Sequence, residues 1–93
     1  MNIDARHVDG FELFDYIADR IDISAEDLED ARMDRDAGHP EIGIAFLFTG
    51  IRGLVPRSVV NFIAPNWDNI KRGGDWADDY LQAVSMNGID ESA

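Results

Sequence analysis

Apolar residues recur every three or four positions over most of the chain, the period of a helix with one buried face. Phe11, Phe14, Ile17, Ala18 and Ile21 set that rhythm first and predict a helix from about Gly10 to Ile21. Asp9 stands where an N-cap belongs and Glu12 follows at the capping-box spacing, with Val8 and Leu13 placed to staple the entry. A second helix is expected from about Ala25 to Asp36. Ser24 would cap it, Ile23 and Leu28 would staple it, and Gly38 would end it. Its apolar face is thin: Leu28, Ala31 and Met33.

The third segment is different. Ile42, Ile44, Ala45, Phe46, Leu47, Phe48 and Ile51 are apolar nearly all round. Opened by Pro40, a favoured first helical residue, and ending near Gly53, it predicts a buried central helix. The rival is a short strand at 42–48, since the run is brief and flanked by glycines. Pro56 should open a fourth helix with Val59, Val60, Phe62 and Ile63 inside, and Pro65 falls just past its end. A turn over Trp67–Arg72 capped by Asn66 and the break at Gly73-Gly74 lead to a last helix. Asp75 caps that helix, Trp76, Ala77, Tyr80, Leu81 and Val84 share one face, and Asn87-Gly88 ends it. No stretch alternates like a strand. The expected fold is all-α: one domain over 1–93, about five short helices around the central apolar one, closed over by Trp76. Residues 1–6 and 89–93 are expected to fray.

Composition removes several chemistries. With 93 residues the chain is one small domain. It has no cysteine, which excludes disulfides, thiolate metal sites and cysteine nucleophiles. No apolar run approaches the roughly 18 residues that a membrane span needs. Met1-Asn2-Ile3-Asp4 lacks the basic-then-apolar order of a signal peptide. The expectation is a cytoplasmic protein without membrane contact, in the host cytoplasm if a phage encodes it.

Charge changes the picture more. The net charge is −11, and it is uneven. Residues 1–41 carry −9, residues 42–72 carry +3 through Arg52, Arg57, Lys71 and Arg72 against Asp68, and residues 73–93 carry −5. So acidic a chain repels free nucleic acid and anionic membranes and attracts basic surfaces. Asp outnumbers Glu by 14 to 5 and Arg outnumbers Lys by 7 to 1, a bias that a GC-rich genome or a salt-loving host also produces. On that alternative the acidity serves solubility alone.

Catalytic candidates are few. The two histidines, His7 and His39, lie in the leading segment and at a helix start, and no nucleophile elbow surrounds any serine. The carboxylates fall on solvent faces, where nothing raises a pKa for acid–base work. Asp34, Asp36, His39 and Glu41 offer ligand atoms, but counting from Asp34 puts Gly38 one place early for a calcium loop. No phosphate-binding loop is present. Gly50-Ile51-Arg52-Gly53 spells the G-x-x-G of a nucleic-acid clamp without the sheet that clamp requires, so it reads as a helix end and turn. The expectation is a non-enzymatic protein with no metal or cofactor.

One constellation rises above this background. Glu12, Asp15, Asp19, Asp22, Glu26 and Asp30 are spaced 3, 4, 3, 4 and 4 apart, and Asp27 widens the row. Ser24 breaks the helix, so the row should cover two helices meeting at a corner. Carboxylates so spaced lie about 5–6 Å apart, comparable in order of magnitude with phosphates along a DNA strand. The first functional reading is an inhibitor or decoy that docks this stripe into the basic groove of a nucleic-acid-handling protein or complex. Small phage-type inhibitors of restriction or CRISPR complexes, and acidic immunity proteins to nuclease toxins, share its size and charge. The likeness is one of composition, and no motif carries it. The second reading is an assembly subunit whose partner meets an aromatic patch of Trp67, Trp76 and Tyr80, with Arg52, Arg57, Lys71 and Arg72 either rimming that patch or meeting the acidic stripe of a second copy in a homodimer.

Overall fold

The caps read from the sequence start the first two helices. In a computed structural model that describes residues 9–67 and 76–93, Asp9 Oδ1 accepts from the Glu12 N–H at 3.0 Å and starts α1 (Gly10–Ala18). Ser24 Oγ accepts from the Asp27 N–H at 3.1 Å and starts α2 (Ala25–Asp36). Val8 and the predicted Asp75 cap lie outside the described residues, as does the predicted Trp67–Arg72 turn beyond Trp67. Gly38, at φ +92°, takes the left-handed conformation that ends α2. Pro40 then begins α3 (Pro40–Gly50).

The segment 42–48 is therefore helix, not strand. Gly10 meets Pro40 and Phe14 meets Gly43, so α1 and α3 run in the same direction. Asp27 lies by Gly50 and Ala31 by Gly43, so α2 returns antiparallel to α3. After α3 come β1 (Val55–Pro56), α4 (Arg57–Ile63) and a 3₁₀ turn at Ala64–Asn66. The last helix, α5 (Trp76–Asn87), leads into β2 (Ile89–Asp90). Phe14, Ile17, Ile44, Leu47, Val55, Val59 and Ile63 are fully or almost fully buried, and Phe48 stacks on Trp76 to close the core from α5.

Three expectations need correction. The helix from Gly10 stops at Ala18 rather than Ile21, because the Arg20 N–H turns to Ile17 O in a tight 3₁₀-type bond and the chain bends towards the Ser24 cap. The helix from Pro40 stops at Gly50 rather than Gly53. Ile51 is extended, and the Arg52 N–H bonds to Asp22 O across the corner at 2.8 Å. Residues 89–93 are also tied down. Ile89 and Asp90 pair in parallel with Val55 and Pro56, the Val55 N–H donates to Gly88 O, and the Ser58 N–H donates to Ala93 O. Such two-residue strands have no alternating pattern to read.

The Arg57 guanidinium completes that tie with two hydrogen bonds to Glu91, Nε to Oε2 at 3.0 Å and Nη2 to Oε1. Hydrogen bonding to Arg57 holds the Glu91 carboxyl below the usual carboxylate range. A folded pKa below the unfolded one stabilises above the unfolded pKa, and that contribution is lost as pH falls through the folded value. In an NMR titration Arg57→Gln should return Glu91 to the ordinary range; an unchanged Glu91 curve would mean the pair does not form in solution.

Gly43 sets the spacing of the helices. A Cβ there would stand 2.8 Å from the Ala31 carbonyl oxygen and 2.8 Å from the Phe14 ring. Gly→Ala in an open helix gains up to about 1 kcal/mol. Here the clash dominates, and Gly43→Ala should destabilise by about 1–3 kcal/mol. In a domain of this size each kcal/mol lowers the melting midpoint by about 4–8 °C. A raised midpoint would show α2 and α3 to be further apart than described.

Candidate functional site

All seven stripe residues are exposed, but they do not form one straight row. Glu12, Asp15 and Asp19 belong to α1 and its C-cap, Asp22 to the corner, and Glu26, Asp27 and Asp30 to α2. The corner at Asp19–Ser24 turns the chain back, so the acids occupy two arms of a helical hairpin.

Among the described residues, one cation joins the arms. Arg35, near the end of α2, donates Nε to Asp15 Oδ1 at 2.9 Å and Nη2 to Asp15 Oδ2 at 2.8 Å, and Nη1 to Asp36 at 3.1 Å. Its guanidinium carbon also lies 5.3 Å from the Phe11 ring centre. Asp15 is therefore a structural clamp between helices. Among the described residues, Glu12, Asp19, Asp22, Glu26, Asp27 and Asp30 hold no ion pair. Arg20 does not neutralise the stripe: its guanidinium donates to Tyr16 O at 3.0 Å and sits 3.5 Å over the Tyr16 ring, which stacks on Phe62.

The aromatic trio is not a surface patch. Trp76 is 3% and Tyr80 7% exposed, both packed on Phe48, while Trp67 is half-buried beside Tyr80. Burial raises the Tyr80 phenol above its ordinary value. Of the face predicted for the last helix, Trp76, Ala77 and Tyr80 point to the core, whereas Leu81 is 49% exposed and Ala83 is buried instead. Of the predicted rim, Arg57 is held by Glu91 and Arg52 is exposed, with its backbone bonded to Asp22. Lys71 and Arg72 lie outside the described residues.

The G-x-x-G segment is engaged internally. Gly50 ends α3 against Asp27, and Gly53 O accepts from Asn87 Nδ2 at 3.1 Å. Among the described residues no three His, Asp or Glu side chains converge as a metal would require, and no helix is long and apolar enough to cross a membrane.

Helix α3 departs from the wholly buried helix that its apolar pattern predicts. It is central, lying against α1, α2 and α5, but it is not buried all round. Ile42 is 48% and Phe46 47% exposed. The signal was present in the composition. A helix apolar on every face needs neighbours on every side, and a chain of this length has too few helices to supply them. No protein-family model, curated protein or solved structure matches this chain.

Proposed function

We propose that this is a non-enzymatic acidic binding protein that docks its α1–α2 hairpin onto a basic surface of a protein partner. One observation carries the reading: six exposed carboxylates on the hairpin and its corner have no cation of their own among the described residues. Like charges three or four apart on a helix cost a few tenths of a kcal/mol per pair, about 0.2–0.5. A small domain with little stability to spare gains from that arrangement when a partner supplies the counter-charges. Surfaces that bind nucleic acid hold the densest Lys and Arg. The strongest form of the proposal is therefore a cytoplasmic inhibitor that occupies such a groove in place of nucleic acid, of the anti-restriction, anti-CRISPR or immunity kind. Direct nucleic-acid binding is opposed by the net charge of −11.

Capture from a lysate of the source cell at low salt, followed by a salt gradient, tests the reading. A basic protein should be retained, should elute with salt, and should not be retained by the Asp19→Lys, Asp22→Lys, Glu26→Lys variant. A partner held equally by wild type and variant, indifferent to salt, would overturn it. Asp15 is left intact because its loss would break the Arg35 clamp.

A further inference from the structure

The uncovered face of α3 has the shape of a docking site. Ile42 and Phe46 stand one turn apart and about half exposed. Thr49, one turn beyond Phe46, is a ridge between two hollows. On the α2 side a hollow of about 200 Å³ is lined by Phe46, Gly50, Asp27 and Asp30. On the α5 side one of about 210 Å³ is lined by Phe48, Ile51, Met86 and Asp79. The Thr49 hydroxyl donates to Ala45 O at 2.8 Å, so the ridge holds no unpaired donor. Gly50 lacks the Cβ that would come within 3.2 Å of Asp27, which lets α2 form the near wall. Met86 is 74% exposed. Phe46 in one hollow and Phe48, Ile51 and Met86 in the other supply the apolar contact surface, with Gln82 and Asn87 also lining the α5-side hollow, and the rims carry carboxylates on both sides: Asp27 and Asp30 on one, Asp79 on the other. None of the three is ion-paired among the described residues.

Charge decides the occupant. A neutral apolar segment would bury carboxylates without partners, which is costly. A second copy seated through this same face would bring carboxylate to carboxylate. A cationic segment meets both rims while its apolar side fills the hollows. Two hollows either side of one ridge suit two side chains one helical turn apart, the spacing by which an amphipathic helix anchors in a groove. We propose that the α3 saddle binds an amphipathic helix of the partner protein, with aliphatic residues at i and i+4 in the two hollows and Lys or Arg on both flanks. This rests on the reading above and narrows it: the basic surface is a helix with an apolar stripe.

The probe is a synthetic helical peptide of about 18 residues, long enough to hold helix, with Leu at i, i+4 spacings and Lys on both flanks. Its control keeps every Lys and replaces Leu with Gln. Affinities are read by calorimetry at near-physiological salt. The Leu peptide should bind at least tenfold tighter than the control. Phe46→Ser should remove about tenfold of the Leu-peptide affinity without changing the control. Leu81→Ser, at the separate hollow beside Trp67, should change neither. Thermal midpoints verify that both variants fold, and the more exposed Met86→Ser replaces Phe46→Ser if that variant does not. Equal binding of both peptides, with Phe46→Ser inert, overturns the saddle and leaves the acidic docking reading standing. A Leu-peptide advantage lost in Leu81→Ser but kept in Phe46→Ser also overturns it. Failure of both peptides to bind even at low salt removes both readings.

Discussion

Phe14→Ala should leave this protein close to unfolding at room temperature. Phe14 is fully buried on α1, and its ring lies against Gly43 of α3. It is also within reach of the Arg35 guanidinium, whose central carbon is 6.0 Å from the ring centre. Truncating a buried Phe costs about 3–5 kcal/mol in lost transfer energy and residual cavity. Folded domains hold about 5–15 kcal/mol in all, and a small acidic domain sits low in that range because less of its surface is buried. Chemical denaturation should therefore show the midpoint falling to a fraction of the wild-type value with little change in slope. Phe11→Ala is the internal comparison. Phe11 shares the periodic face read from the sequence, yet it is 39% exposed, so its truncation should cost about 1 kcal/mol or less. Equal effects of the two would show that α1 does not seat on α3 as described.

That pair shows where sequence reading stops. Periodicity identified the helix and the residues able to face inward. It could not rank Phe11 against Phe14, because the rank depends on which helix arrives from across the core. Local signals were legible wherever one side chain does the job. Asp9 and Ser24 cap their helices, Pro40 opens α3, and Gly38 and Gly88 take positive φ at helix ends. Non-local pairing was not legible. The β1–β2 pair joins segments 34 positions apart through two residues each, and the Arg57–Glu91 bond spans the same separation. The acidic stripe was visible as a list of residues, and the corner at Ser24 was foreseen. The Arg35 clamp on Asp15 was not, because a pairing twenty positions apart across two helices leaves no periodic trace. The aromatic patch failed for the opposite reason. Trp76 and Tyr80 are as well suited to a core as to an interface, and here both pack on Phe48 inside the core.

The combined substitution Asp19→Lys, Asp22→Lys, Glu26→Lys should separate binding from folding most sharply. Each change turns an attraction for a basic partner into a repulsion. Like-charge contacts across an interface cost several kcal/mol, and each ~1.4 kcal/mol is tenfold in affinity. Affinity for the partner should fall by about a hundredfold or more, mainly through slower association. Stability should move far less, because the local terms oppose one another. Asp19 is the C-cap of α1, where a cation is favoured over an anion by about 0.3–1 kcal/mol. Glu26 lies in the first turn of α2, where the preference is reversed and similar in size. The Asp22 contribution to the fold is its backbone carbonyl, which accepts from Arg52 whatever the side chain. The thermal midpoint should therefore stay within a few degrees while binding collapses. If acidity serves only solubility in a salty host, the outcome inverts. Wild-type stability would then climb steeply with added salt, the variant would lose that dependence, and no partner would distinguish the two proteins.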